Sequence, residues 1–344
     1  MRVQISTKPI RSESRFRGVG IYARNLSLAL TKNYPRDNFT LSNQTDHSID
    51  LIHYPYFEPF FLTLPLYHSR PFVLTIHDLI PLKYPMHFPR GLRGSFKWQL
   101  QKIALRGSAH FITDSTASAK DIESILHIPQ TKISVIPLAP GHTRTTYKMK
   151  VVVKQTYHLP DKFILYVGDI NWNKNIPGLI KEFSLLKSSS LHLVLVGQAF
   201  VSKSPTIESN TIRNSILESG KSHLIHTIGY TPSHHLPALY SLATVYIQPS
   251  WDEGFGLPLL EAMSLGCPVL SSNRGSLREV GGDAVKYFDP RHHGSLAQEL
   301  TTLLHSRELR TRLIEQGKSR AKIFTWDQTA KLTHAVYEKI LAAH

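Results

Sequence analysis

The chain has 344 residues, more than one hydrophobic core usually supports, so two domains of ordinary size are expected. Its single cysteine, Cys267 inside an apolar run, excludes a disulfide framework and a cysteine metal cluster and fits a reducing cytoplasm. The net charge of +15 is uneven, with 20 Lys+Arg against 9 Asp+Glu in residues 1–150 and 20 against 16 in residues 151–344, and a nucleic acid, an anionic membrane surface or a phosphorylated substrate would each account for the basic first half.

At the N-terminus, MRVQISTKPIRSESRFRG has no apolar stretch of signal-peptide length, and no later segment reaches about 18 apolar residues, so neither export by that route nor a membrane span is expected. The runs MRVQIS, DLIHYPYF, PFVLTIHD, AHFITDS and KISVIPLA read as strands. Between them Gly20 to Leu30, Leu92 to Arg106 and Ser115 to Leu126 read as helices, with Ser115 as an N-cap. After a polar stretch from Gly141 to Lys154 the pattern restarts with FILYVGD, LHLVLVG, LIHTIGY, TVYIQPS and CPVLSS as strands. Helices over Asn175 to Leu186, Ser204 to Ser219, Pro232 to Ser241 and Leu257 to Leu265 alternate with them. From Gly294 onward the chain reads as helices, the last opening near Trp326 after the cap-like Thr325. Near-continuous apolar strands are what a parallel sheet covered on both faces requires. The expected class is therefore α/β, with two doubly wound, Rossmann-like domains over residues 1–150 and 151–325 facing a cleft. Residues 326–344 are expected to form a helix returning to the first domain. In such sheets ligands sit beyond the carboxyl ends of the strands.

The stretch PSWDEGFGLPLLEAMSLGCPV, from Pro249 to Val269, occupies one such end, with TVYIQPS as strand, WDEGFG as loop and LPLLEAMSLG as helix. Gly254 and Gly256 let the backbone approach a ligand closely, and the helix start favours an anion such as a phosphate. Pro258 near the first turn gives up an N–H that would be unpaired anyway. Glu253 precedes the helix and Glu261 falls about one turn inside it, so both can point to one cleft. Carboxylates accept paired hydrogen bonds from vicinal hydroxyls, so this arrangement suits a diphosphate with a hydroxylated sugar at each end, which is a nucleotide sugar. The residues alone leave a second reading open, in which Glu253 caps the helix and Glu261 is a solvated surface charge.

The segment Val245 to Pro290, VYIQPSWDEGFGLPLLEAMSLGCPVLSSNRGSLREVGGDAVKYFDP, resembles the donor-binding signature of retaining glycosyltransferases of the GT-B fold, family 4 of the glycosyltransferases. YVGDINWNKNIPGLIKEF is similar to the opening of that family's second domain, and TIHDLIPLKYP to its cleft-facing histidine loop. FRGVGIYARNLSLAL and FTWDQTAKLTHAVYEKIL resemble its first-domain glycine loop and its closing segment, so the likeness covers nearly the whole chain.

The resemblance implies roles. Glu253 would hold hydroxyls of the transferred sugar, Phe255 to Leu257 would offer backbone N–H groups to sugar and phosphate, and Glu261 would bind the ribose. Lys174 would neutralise the donor diphosphate, whose charge grows as it leaves. His77, at the end of FVLTI, would contact the sugar near the reacting carbon, while Asp78 reads as a turn former. Gly18, Val19 and Gly20 would form an anion site before the first helix, with Arg15 and Arg17 adding charge. Tyr230, in IGYTPS, would touch the donor base. Family members often carry an arginine at the places where this chain has Asp169 and Asn173, which shifts diphosphate binding onto Lys174 and Gly18. The implied reaction is retaining transfer of a sugar, expected to be mannose from GDP-mannose, without a bound metal, to a saccharide or lipid-linked acceptor in surface polysaccharide or glycolipid synthesis.

The 19 histidines show no helical pair with an accompanying acid, and His234-His235 and His292-His293 read as surface turns, so no metal site is expected. The segment Lys83 to Arg106 interleaves cations with Phe88, Phe96 and Trp98, a pattern that can rest on an anionic membrane or form an ordinary helix with a basic face. The alternatives are a nucleotide-sugar epimerase of the same fold and a basic nucleic-acid binder. The second would need stacking aromatics beside its cations or a recognisable module, and neither stands out, so no nucleic-acid partner is expected.

Overall fold

Short apolar runs bounded by turns set twelve strands among the described residues, and all of their pairings are parallel. The structure, a computed structural model, describes residues 1–7, 18–43, 48–141, 144–202 and 206–343. It divides into two compact units, Met1–Gly141 with Phe324–His344, and His142–Ile323.

The first unit contains β1 (Arg2–Ile5), α1 (Gly18–Asn33), β2 (Asn38–Leu41), β3 (Leu51–Tyr54) and β4 (Phe72–Thr75). Next come α2 (Ile80–Lys83), α3 (Gly91–Leu105), β5 (His110–Thr113), α4 (Thr116–Leu126) and β6 (Ile133–Val135). Its sheet runs β2-β1-β3-β4-β5-β6. Helix α4 begins where expected, because Ser115 Oγ accepts from the Ser118 N–H at 3.0 Å, and it ends at His127 in the left-handed region, φ 56°.

The second unit opens with α5 (Tyr147–Thr156), β7 (Phe163–Val167), α6 (Ile176–Ser184), β8 (His192–Val196), α7 (Ile207–Glu218) and β9 (Ile225–Ile228). It continues with α8 (Leu236–Leu242), β10 (Val245–Gln248), α9 (Leu257–Ser264), β11 (Val269–Ser272), α10 (Leu277–Gly281) and β12 (Lys286–Phe288). Helices α11 (Ser295–His305) and α12 (Arg307–Ala321) follow, and α13 (Trp326–Leu341) lies in the first unit. The sheet order β12-β11-β10-β7-β8-β9 reverses direction between β7 and β10. Helix α6 buries Ile176, Leu179, Ile180 and Phe183, the i, i+3, i+4, i+7 stripe of a helix lying on a sheet.

Three features depart from the sequence reading. Strand β2 is mostly exposed at a sheet edge, so NFTL carries no burial pattern. The stretch taken as a polar link contains α5, capped by Thr146, which buries only Val153 and crosses residue 150. Gly18, Val19 and Gly20 form the first turn of α1 rather than a loop before it, and Arg15 and Arg17 lie outside the described residues.

Helix α13 is tied to its unit through polar contacts. The Trp326 indole donates to the Pro140 carbonyl at 3.2 Å, and the Thr329 hydroxyl to the Pro137 carbonyl at 2.8 Å. Deeper in, His53 of β3 lies between the Tyr337 hydroxyl, 2.6 Å from Nδ1, and the Thr75 hydroxyl, 2.8 Å from Nε2. Burial, with a smaller push from His77, lowers the His53 pKa to about 3. Between that value and the ordinary 6.5 the unfolded chain binds more protons, so stability falls as pH falls through this window. His110, lowered to about 4 by burial and by Lys339 and Lys132, acts in the same direction. Urea melts should show about 2 kcal/mol lost through His53 on going from pH 6.5 to about pH 5. An equal pH slope in His53→Gln would overturn the assignment.

Candidate active site

The reversal in the second sheet leaves the loops after β7 and β10 side by side, which is where doubly wound sheets hold ligands. The loop after β7 carries Asn173 and Lys174, and the loop after β10 carries Trp251, Asp252 and Glu253. They lock together: the Trp251 N–H donates to the Asn173 carbonyl at 2.7 Å, the Asn173 amide to the Asp252 carbonyl at 3.1 Å, and the Asn175 amide to the Pro249 carbonyl at 3.0 Å. Across this seam Lys174 Nζ lies 2.8 Å from each carboxylate oxygen of Glu253. Glu253 Oε1 also accepts from the Gln248 amide at 2.8 Å and the Ser250 hydroxyl at 2.7 Å. At 7% exposure it is a buried carboxylate held by one cation and two neutral donors, rather than a helix cap.

Gly256 is the residue at the cap position of α9, at φ +94°, with no side-chain cap. Pro258, which has no N–H, sits in the first turn, and the Leu259 and Leu260 N–H groups both turn to the Gly256 carbonyl, at 3.1 and 3.2 Å, so what the helix start offers is the positive end of its dipole. A Cβ on Gly256 would stand 2.7 Å from Leu277 Cδ2, the end of a side chain that can move, so it is the positive φ that favours glycine there. Gly254 and Phe255 are buried in the same loop, and Leu257 begins the helix.

Glu261 lies further along α9 and accepts from the Tyr240 hydroxyl of α8 at 3.2 Å. Tyr230 follows β9, separated from β7 by β8, and is 53% exposed. Lys174 is thus brought into direct contact with Glu253 and Asn173 with Trp251 and Asp252, Glu261 stands on the helix beside them, and Tyr230 stands at the sheet edge.

In the first unit His77 follows β4 and Asp114 follows β5, at neighbouring carboxyl ends. His77 Nδ1 is 2.6 Å from Asp114 Oδ2, and Nε2 is 3.2 Å from the Pro55 carbonyl. A carbonyl only accepts, so an imidazolium with N–H on both nitrogens satisfies both partners. Burial alone would lower the His77 pKa, yet the Asp114 carboxylate, with help from Asp78 and Pro55, raises it overall. Asp114 itself is pushed up by burial against the pull of His77, and its Oδ1 is buried without a partner. With both nitrogens engaged, the ring offers positive charge more than a free hydrogen bond. Asp78 behaves as the expected turn former, its Oδ1 accepting from the Ile80 N–H at 3.0 Å.

Asp114→Asn removes the charge that holds the imidazolium, so NMR titration should find the His77 pKa moved down. An unchanged titration would overturn the pairing. The stability carried by the raised pKa is present below about 6.5 and lost as pH rises through the folded value.

Among the described residues no group of three or more His, Cys, Asp or Glu side chains is placed to hold a metal ion.

The family described as Glycosyl transferases group 1 matches residues 152–320, and Glycosyltransferase Family 4 matches residues 9–139. The O-antigen chain mannosyltransferase B of Escherichia coli is 30% identical over 272 residues, covering 77% of this chain and 70% of that protein. The serotype-specific mannosyltransferase WbdA of Escherichia coli is 30% identical over 279 residues that cover 78% of this chain, but only 33% of WbdA, so the chain spans about a third of that relative. Among solved structures, Anabaena HepE in complex with UDP-glucose superposes with a TM-score of 0.75 at 16% identity, covering 98% of this chain and 100% of that one.

Proposed function

The chain belongs to the group 1 glycosyl transferases, family 4, and is a glycosyltransferase of the GT-B fold, and on that footing we propose that it is a retaining mannosyltransferase using GDP-mannose. The acceptor is a saccharide or a lipid-linked sugar, the product a surface polysaccharide or glycolipid, and the place of work the cytoplasm. The epimerase and nucleic-acid readings give way to the family assignment.

The observation that carries this reading is the Lys174–Glu253 contact beside the opening of α9, at the carboxyl ends of β7 and β10. A nucleotide diphosphate seated at the helix start draws Lys174 towards its phosphate oxygens. That movement takes the ammonium off Glu253 and turns the carboxylate to the hydroxyls of the sugar, so one exchange prepares both ends of the bond to be broken. Glu261 then takes the ribose hydroxyls. As the C–O bond to the diphosphate breaks, Lys174 stabilises the charge on the leaving oxygen, and the acceptor hydroxyl attacks from the same face and gives its proton to that phosphate. The mannosyltransferase names of the sequence relatives favour mannose, and the UDP-glucose in HepE favours a nucleotide-diphosphate sugar.

Thermal-shift measurements with GDP-mannose, UDP-glucose, GDP and UDP test the donor, since a ligand at one hundred times its Kd stabilises the native state by about 2.7 kcal/mol. GDP-mannose is expected to give the largest shift and to label a saccharide acceptor with an α-mannosyl unit. A shift with UDP-glucose alone replaces the sugar, and a shift with none of the four overturns the donor site.

A further inference from the structure

The basic first unit gathers part of its charge away from its active edge. Pro71, Ala109 and Lys132 immediately precede β4, β5 and β6, whereas His77 and Asp114 follow β4 and β5. The two edges stand a strand's length apart, about 13 Å for four residues. At the amino edge lies an open recess of about 780 Å³, bounded by residues 66–71, by the residues before β5 and β6, and by the last turns of α13 at Lys339 and Ile340. Small-molecule sites are commonly of this size, about 300–1,000 Å³.

The lining carries charge of one sign. Arg70, Lys132 and Lys339 come from three separate parts of the chain, and no aspartate or glutamate lines the recess. Cations brought together in this way cost stability unless an anion answers them. The crowding is felt at His110, whose Nε2 lies 2.9 Å from the Ser134 hydroxyl: burial first, then Lys339 and Lys132, disfavour its charged form. Both ammonium groups act on one imidazole, so they flank a single point instead of being spread over the surface. His68 stacks on Phe72 with 3.9 Å between ring centres, and burial lowers its pKa, so the charge of the recess rests on the three permanent cations.

Beside those cations Leu66 and Tyr67 are 58% and 82% exposed, an aliphatic side chain and a flat ring at the mouth of the recess. Ammonium and guanidinium groups are complementary to phosphate oxygens, and an exposed tyrosine ring to the flat face of a base. The cations converge on one recess and do not track a groove or a flat face, which favours a compact anion over a nucleic-acid strand or a bilayer.

We propose that this recess is a second ligand site, separate from the sugar-transfer centre, for a phosphorylated small molecule of nucleotide size. Its phosphate ties Lys339 of α13 to Lys132 before β6 and Arg70 before β4, so occupancy fastens the last turns of α13 to the sheet they pack on. Lys174 and Glu253 belong to the second unit, and the inference does not depend on which sugar is transferred.

The test titrates the full chain with pyrophosphate and with ADP at constant ionic strength, read by calorimetry and by the His110 ring signals in NMR. Both ligands are expected to bind, to move the His110 signals and to raise the His110 pKa, because the anion offsets Lys339 and Lys132. ADP should bind about tenfold tighter than pyrophosphate, and Tyr67→Ser should remove that advantage. Lys132→Gln with Lys339→Gln should weaken both ligands about tenfold per cation, while melting no lower than the parent without ligand and transferring sugar at the parent rate. Lys174→Met should leave the His110 response unchanged. Binding that Lys174→Met abolishes and the double lysine variant keeps would put the anion at the donor site and overturn the inference. So would a silent His110, or a recess that answers to phosphatidylglycerol vesicles and to neither phosphate.

Discussion

Glu253→Gln is expected to lower sugar transfer about 10³-fold with little loss of fold. Glutamine keeps the volume, but it presents one acceptor oxygen where the carboxylate presents two, and its amide hydrogens face Lys174 Nζ, now 2.8 Å from both oxygens. Removing one preorganised polar group from a transition-state site typically costs 10²–10³ in rate, and the lost charge adds to this. Lys174→Met should cost a similar factor, and the double variant little more, because the two residues act as a unit. Alanine is the less informative substitution at position 253. It would strand Gln248, Ser250 and Lys174 around a buried gap, at about 3–5 kcal/mol for breaking a buried pair, so lost folding would obscure lost chemistry. Radiolabelled transfer beside thermal melts separates the two effects. Transfer within threefold of the parent in Glu253→Gln would remove Glu253 from the mechanism.

Gly275→Ala is expected to destabilise the second unit by about 2–5 kcal/mol and to lose transfer with it. Gly275 lies at φ +55°, and a Cβ there would stand 2.3 Å from Asp252 Oδ1 and 2.7 Å from both the backbone N and O of Glu253. Those atoms aim the carboxylate: Asp252 Oδ1 accepts from the Glu253 N–H at 2.9 Å, and the Glu253 carbonyl accepts from the Ser276 N–H and hydroxyl. Gly220→Ala is the control. It has a similar φ, +66°, and nothing within 4 Å of the added atom, so it bears only the backbone cost of about 1–2 kcal/mol. Equal melting points for the two variants would show that crowding beside Glu253 is not what glycine relieves at position 275.

The strands that build the active edge were legible because they are buried on both faces: FILYV and VYIQ are almost wholly inside, and an unbroken apolar run is the signature of that burial. The same physics hides β2, whose polar residues lie at an edge, and α5, whose one buried residue leaves no periodic face. At the site, Glu253 was visible from its glycine-flanked loop and Lys174 from the family resemblance, but their contact was not, because 79 positions separate them and only the strand order makes them neighbours. Asp114 went unremarked although it ends AHFIT at a carboxyl end just as His77 ends FVLTI. The rule that selected His77 would have selected it too.

The placement of α13 bears on how the chain assembles as it is made. The first unit needs that helix: His53, on the third strand from the N-terminus, finds Tyr337 only when the last segment has been synthesised, 284 positions later. The second unit is contiguous from His142 to Ile323 and depends on no later residue. On the ribosome the half that begins first therefore finishes last. Until then its six parallel strands hold a buried imidazole site open, while the donor-side unit can already be complete.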